Sequence, residues 1–360
     1  MKTYKSKTKF NGGIDLHKDS MTINIMDTDG NQLLRSTKIK DNSVSYLLKL
    51  IRRYKDDLTL CCESTYNWYF LKDYADYHGI DFVLGIPHLM PTITQSKSKN
   101  DNADAKELAD LLRSNRLPYG FAMDKEKRVV RDNLRFRRLL VQERTKLKTI
   151  TTFHLDAYML PRFNANQKNA SCYVEELMNR FDHPMQKLKS LTTCKLINDF
   201  DDAIAMIEDK VESYTESDLN IRLLRTVPGI GKVLSLMLNF EIGHIDRFPS
   251  IRAFCSYSRV VFPEQTSNGK VTGQGNRKCG NAHIKWALSE AGILSRAKNK
   301  EMQSVYDAIL LKKKNNKYAA MAAYNHRLAN AVYAIMKNQK PFNFNLFSGN
   351  LLKEILMPAD

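Results

Sequence analysis

Gly12-Gly13-Ile14-Asp15-Leu16 is the stretch that decides the fold: two glycines, then apolar residues on either side of one carboxylate. It opens strand structure that continues through 21–26, and Asp29-Gly30 supplies a turn into 32–39, so the first forty residues read as a β-meander. Beyond it, Val44, Leu47, Leu48, Ile51 and Tyr54 recur at the helical period, which predicts a helix over 43–57 crossing the sheet. Residues 58–62 form a short apolar run ending at Glu63, 65–78 are helical again, 80–86 make another strand before Pro87, and 99–112 are helical. The order is β-β-β-α-β-α-β-α.

Three antiparallel strands followed by βα units resemble the ribonuclease H-like fold, and acidic residues fall where that fold needs them. Asp15 lies on the first strand and Glu63 at the end of the fourth. In Lys-Asn-Asp-Asn-Ala-Asp-Ala-Lys-Glu-Leu-Ala-Asp-Leu-Leu (99–112), Asp101 and Asp104 are spaced i,i+3, on one face of a first helical turn, with Ala105, Leu108, Leu111 and Leu112 as the apolar stripe. The same spacing also describes a plain helix start, with an N-cap and a second carboxylate three residues on. Convergence with Asp15 and Glu63 raises it to a metal site, because four carboxylates repel one another until a cation neutralises them. Hard oxygen donors, with no thiol or imidazole cluster in these motifs, argue for Mg²⁺ or Mn²⁺, and two such ions can clamp a phosphate during in-line displacement.

The 360 residues carry 56 Lys and Arg against 39 Asp and Glu, a formal charge of +17 that calls for a polyanionic partner, nucleic acid by default. Up to position 120 there are 18 basic and 15 acidic residues, so +14 of the charge lies beyond the sheet region. No apolar run approaches the roughly 18 residues of a membrane span, and Lys2, Lys5, Lys7 and Lys9 precede no apolar signal core; a cytosolic chain is expected. Six cysteines lack CxxC spacing and are read as reduced thiols.

Ten basic residues against three acidic ones fall between Lys125 and Lys148. This predicts a basic helix, ended by Pro161, with Arg128, Arg131, Arg135 and Arg138 as candidates for tracking a phosphate backbone; the plainer alternative is a solvated charged face. Residues 162–193 read as mixed helix and loop. Phe200, Ile204, Ile207, Val211 and Tyr214 then recur at steps of four and three, a coiled-coil seam that pairs with the basic helix or with its copy in another subunit. Val227-Pro228-Gly229-Ile230-Gly231 between apolar helical patterns reads as a helix-hairpin-helix, where Gly229 and Gly231 would let backbone amides approach a phosphate, or as a plain turn between helices. A basic, glycine-rich loop follows, with Thr266, Ser267, Lys270, Arg277 and Lys278, and leads into a helix over 282–298.

Read together, these motifs resemble the DEDD transposases of the insertion-sequence one-ten group, relatives of the Piv and MooV invertases. Gly13-Ile14-Asp15-Leu16-His17-Lys18 matches the opening motif, Glu63-Ser64-Thr65 the second, and Lys99-Asn100-Asp101-Asn102-Ala103-Asp104-Ala105 the third, with Asn100 in place of Thr. Val227-Pro228-Gly229-Ile230-Gly231 fits the start of the family's second domain and Lys278-Cys279-Gly280-Asn281 its Lys-x-Gly-Asn. The resemblance implies a fold of class α/β plus α: a RuvC-like domain over 1–120, a basic helix and coiled-coil linker over 121–220, a mostly helical transposase domain over 221–345, and a tail over 346–360. It also implies Mg²⁺ at Asp15, Glu63, Asp101 and Asp104, donor and target DNA chosen by a structured non-coding bridge RNA, a homo-oligomer (dimer or tetramer), and a place at the bacterial nucleoid. A second-domain serine then attacks DNA. Counting back from Gly280 places it at Ser267, although Asn268 separates Ser267 from Gly269 and Tyr66 replaces the glycine usual after the second motif. The competing readings are a RuvC-like junction nuclease that uses water, and a non-catalytic nucleic-acid-binding scaffold.

Overall fold

A computed structural model describes residues 3–90, 101–162, 174–215, 217–261, 264–267, 270–274 and 279–349. The chain divides into two compact units, Met1–Glu126 and Lys127–Asp360.

The first unit is built on a six-stranded sheet in the order β3-β2-β1-β4-β5-β6, with β1 at Phe10–Leu16, β2 at Ser20–Met26, β3 at Gln32–Lys40, β4 at Leu58–Glu63, β5 at Asp81–Gly85 and β6 at Tyr119–Gly120. The first three strands pair antiparallel, and β1, β4 and β5 run parallel. Side chains alternate across a strand, so Ile14 and Leu16 face one side while Gly13 and Asp15 face the other. Ile14, Leu16, Ile23, Ile25 and Leu60 pack on the first side with Leu47 and Ile51 of α1 (Val44–Ile51) and Leu71 and Ala75 of α2 (Tyr69–Tyr77). On the opposite side Cys61 and Val83 meet Leu108, Leu111 and Leu112 of α3 (Asp101–Arg113). A Cβ on Gly13 would lie 2.3 Å from the Ala105 carbonyl oxygen, so a side chain there would lift α3 off the sheet.

The second unit is mostly helical. Its long helices are α4 (Lys125–Asp156), which begins at the unit boundary, and α6 (Pro184–Thr215), with the short α5 (Val174–Asn179) between them. Arg137 Nε donates to Glu208 Oε1 at 2.7 Å, and Arg144 pairs with Asp201. Seven residues forward on α4 is therefore seven residues back on α6, an antiparallel hairpin. A helical core follows, from α7 (Leu219–Leu224), α8 (Lys232–Ile242), α9 (Ile251–Tyr257), the strand pair β7 (Glu264–Ser267) and β8 (Lys270–Gln274), α10 (Ala282–Lys298), α11 (Lys300–Lys312), α12 (Lys317–Asn338) and α13 (Phe344–Ser348). Leu224, Met237, Leu238, Phe254, Ile284, Leu288, Met302, Tyr324, Leu328 and Val332 fill its interior.

Several expectations change. The helix expected over 43–57 stops at Ile51, and the one expected over 65–78 starts at Tyr69. Helix α6 starts at Pro184, well before Phe200, and its buried row is Ser190, Cys194, Ile197, Ile204, Val211 and Thr215; Tyr214 is 70% exposed. The expected seam was misplaced because two positions of the true heptad, Asp201 and Glu208, are acidic and pair with arginines. The choice between the basic helix and another copy falls to the basic helix of the same chain. The glycine-rich loop contains the β7-β8 hairpin, in which Ser267 is registered with Lys270.

Candidate metal centre and the buried acid of the helical unit

Strand β1 carries Asp15, and the turn that follows carries His17. His17 Nε2 lies 3.0 Å from Asp15 Oδ2 and 3.5 Å from Asp101 Oδ1. Potential ligand atoms of Asp15, His17 and Asp101 all lie within 4.8 Å of one another. Close packing of α3 on Gly13 brings the start of that helix to the end of β1, so Asp101 arrives beside Asp15 from 86 positions away in sequence. Asp101 is also held from the sheet: Lys38 Nζ on β3 reaches its Oδ2 at 3.2 Å.

The two aspartates titrate in opposite directions. Burial pushes the Asp15 carboxyl up, and the negative charges of Asp104 and Asp101 add to this against the opposing pull of His17. The hydrogen bond from Lys38 holds Asp101 below the usual carboxylate range, assisted by the charges of His17 and Lys38. Crowded carboxylates, one of them driven towards its protonated form, are what a divalent cation relieves. The donors present fit one.

Of the four expected acids, Asp15 and Asp101 meet in this cluster, and Asp104 is close enough for Asp15 to feel its charge. Glu63 follows the registered pair Ile14–Cys62 on the neighbouring parallel strand, as Asp15 does, and by alternation shares the α3 face. His17, not among the expected ligands, stands in the cluster beside Asp15 and Asp101. Its signal was in the sequence, since Asp-x-His spacing returns to the same side of an extended chain. Lys38 had no such signal.

In the helical unit, Glu241 of α8 has a side chain 1% exposed. Arg135 binds it with two nitrogens, and Asn281 Nδ2 donates to Oε2 at 2.7 Å. Burial alone would raise this carboxyl; the Arg135 hydrogen bonds and charge, with Asn281 and His283, outweigh it and hold the carboxyl below the ordinary range. Asn281 also caps α10, accepting from the His283 and Ile284 amides at 2.8 and 3.0 Å. One buried acid thus ties the basic helix to the residue at which the glycine-rich segment ends.

These contacts correct the picture of a row of open arginines. Arg128 is 3% exposed, Arg135 is engaged with Glu241, Arg131 pairs with Asp132 at 2.9 Å, and Arg138 stacks on Trp286 and reaches His283 Nδ1 at 3.1 Å. Arg128 is buried, and Arg131, Arg135 and Arg138 each have partners within the helical unit. Gly229 has a packing role: at φ +88° its missing side chain leaves room for α10, since a Cβ would lie 2.4 Å from the Ser295 amide. Gly231, the N-cap of α8, has open space around it. Lys270 is exposed. Arg277 and Lys278 lie outside the described residues, as does the side chain of Ser267.

A transposase family model of the DEDD, IS110 type matches residues 12–160, and one described as transposase, IS116/IS110/IS902 family, matches residues 221–307. Among known proteins, the chain is similar to the transposase for insertion sequence element IS1533 of Leptospira borgpetersenii, 31% identical over 36% of this chain and 39% of that one. It is similar to the transposase for IS1111A of Coxiella burnetii, at 24% identity over 72% of this chain and 74% of that one. The transposase for IS1328 of Yersinia enterocolitica is 24% identical over 77% and 80% of the two chains.

Proposed function

Since the chain belongs to the IS110 family of DEDD transposases and is an enzyme acting on DNA, we propose that it cuts and rejoins the DNA of an insertion sequence through a phosphoserine intermediate. In this reading the first unit is RuvC-like and holds Mg²⁺ with Asp15, Glu63, Asp101 and Asp104, Ser267 is the nucleophile, and a structured bridge RNA selects donor and target. It works at the bacterial nucleoid; no described helix is long and apolar enough to cross a membrane.

The observation that carries the metal assignment is the cluster of Asp15, His17 and Asp101 within 4.8 Å. Divalent ions held by such carboxylates supply positive charge to a phosphodiester and its leaving oxygen. The chain's own residues do the rest. Asp15 and Asp101 provide anionic oxygens, His17 spans both, and Lys38 fixes the orientation of Asp101. At Ser267 the Oγ–P bond forms as the P–O3′ bond breaks; the seryl proton passes to solvent and the departing 3′ oxygen takes one up. Attack by a different 3′-hydroxyl reverses this, frees the serine and joins the new strand without an external energy source.

A suicide DNA substrate, incubated with Mg²⁺ and RNA transcribed from the flanking non-coding DNA, should trap the protein covalently on the peptide containing Ser267. Ser267→Ala should bind nucleic acid and form no adduct. An adduct on Thr266, Ser256 or Ser258 would move the nucleophile, and cleavage with no adduct would favour a water-using nuclease. Equal activity without the RNA would remove the guide from the proposal.

A further inference from the structure

Tyr257 ends α9 and Asn281 precedes α10, 24 positions apart, yet the Asn281 amide donates to the Tyr257 carbonyl oxygen at 2.6 Å. Beside this bond Arg259 Nε donates to the Cys279 carbonyl oxygen, also at 2.6 Å. The chain therefore leaves the helical core and returns to it at a single point. Two left-handed residues make the crossing, Arg259 at φ +56° and Gly280 at φ +83°. Glycine is required at the second, because a Cβ would lie 2.5 Å from the Tyr257 carbonyl oxygen. Arginine has no such backbone freedom, and the Arg259 side chain offsets the cost by bonding across to the returning chain. The crossing is anchored inward on Glu241, which accepts from Asn281 Nδ2 at 2.7 Å while Asn281 Oδ1 caps α10.

A short turn would be enough to join α9 to α10, since their ends already touch. The excursion between them adds nothing to that connection, and what it carries is the β7-β8 hairpin with Ser267. Surface excursions with closed ends are frequent carriers of functional residues. We infer that Arg259, Gly280 and Asn281 form a latch that shuts the base of this excursion and so positions the serine hairpin for the reaction. The inference rests on the reading of Ser267 as the nucleophile. Both ends of the excursion are fixed to one another and, through Asn281, to a carboxylate buried in the core, so the hairpin has a fixed origin. Capping α10 needs only Asn281 Oδ1; the Arg259 bond and the Gly280 crossing serve no cap. The latch also gives the Gly-Asn pair of Lys278-Cys279-Gly280-Asn281 its roles: the glycine permits the crossing, and the asparagine bonds on both sides of it. These are positioning residues, acting on the chemistry through Ser267.

The test uses the full-length protein with two readouts, amide hydrogen exchange and the rate of covalent trapping on a suicide DNA substrate. Arg259→Met keeps the bulk and removes the bond to Cys279; Gly280→Ala forces the crossing apart by a different route. In each, the Asn281 amide and the amides of β7 and β8 should exchange about tenfold faster or more, while those of α8 and α12 keep their protection and show the unit folded. At saturating DNA the trapping rate should fall about 10- to 100-fold, with the half-saturating DNA concentration unchanged, a split that a merely stabilising contact would not give. Arg259→Lys, which can still donate to the Cys279 carbonyl, should recover most of both. Native exchange at Asn281 and the hairpin in both variants, or faster exchange with a native trapping rate, would overturn the inference. Weaker DNA binding by Arg259→Met with native exchange would overturn it too and make Arg259 a phosphate contact. Trapping of the wild type outside residues 260–278 would remove the nucleophile reading and the positioning role with it, whereas exchange, which needs no reaction, judges the latch by itself.

Discussion

Arg135 grips Glu241 through two parallel hydrogen bonds, Nε to Oε1 at 2.6 Å and Nη2 to Oε2 at 2.8 Å, across 106 positions of sequence. A fork on a fork is the strong form of this pair, and it sits where Asn281 also needs the same carboxylate. Removing one partner leaves the other stranded in the interior. Glu241→Leu should therefore cost about 3 kcal/mol of the helical unit's stability, the low end for a broken buried pair because Arg135 is one third exposed. Urea unfolding followed by tryptophan fluorescence, with Trp286 as reporter, checks it.

The same carboxyl sets a pH dependence. Its folded-state pKa is depressed, so its stabilisation is fully present above the unfolded value, about 4.3 for glutamate, and is lost as pH falls through the folded value. Stability should decline on acidification below about pH 4.3 more steeply in the native protein than in Glu241→Leu. Parallel pH profiles would show that the acid is not the group responsible.

At the metal centre, Asp104→Asn should abolish strand cleavage and exchange while leaving the far-ultraviolet dichroism and nucleic-acid binding intact. His17→Ala should lower Mn²⁺ affinity about 10- to 100-fold by titration. Full Mg²⁺-dependent cleavage by the first variant, or unchanged Mn²⁺ binding by the second, would remove that residue from the site.

Much of the first unit was legible because alternation and helical period act locally. The β-meander, the acids on β1, β4 and α3, and the apolar stripe of α3 all follow from spacings of two to four residues. The Lys38–Asp101 contact, 63 positions apart, and the Arg135–Glu241 pair depend on how finished elements stack, and no local period encodes them. Charge misled in one direction: Asp201 and Glu208 lie off the apolar row read as the seam, yet they are seam positions of α6 paired with Arg144 and Arg137. Charge alone likewise made a phosphate track of the α4 arginines, of which Arg135 is instead taken up by the buried Glu241.

The two glycines of Val227–Gly231 should part company on substitution. Gly229→Ala meets both a left-handed backbone and the Ser295 amide, a combined cost of about 2 to 4 kcal/mol. Gly231→Ala meets open space and should cost under about 1 kcal/mol, from weaker capping alone. Thermal denaturation of the two variants side by side compares them.

Salt dependence separates outward cations from structural ones. Lys270→Ala should reduce the slope of log affinity against log salt by about one unit, because a lost phosphate contact is a lost counterion release. Arg128→Ala, at a buried position, should leave the slope alone and lower stability. Nitrocellulose binding across a salt series reads the first effect, and a flat response at Lys270 would move the phosphate path off the hairpin.

The charged pairs inside the α4-α6 hairpin also determine a dimension. If α6 slipped by seven residues one way, Arg144 would face Cys194 and Glu208 would face Val130; slipped the other way, Arg137 would face Thr215 and Asp201 would face Thr151. Either displacement strands one cation and one anion, so the two helices are locked like notches on a gauge. Each helix has 32 residues, about 48 Å at 1.5 Å per residue. The two charge pairs thus set the register of the hairpin, and with it how far each helix overlaps the other.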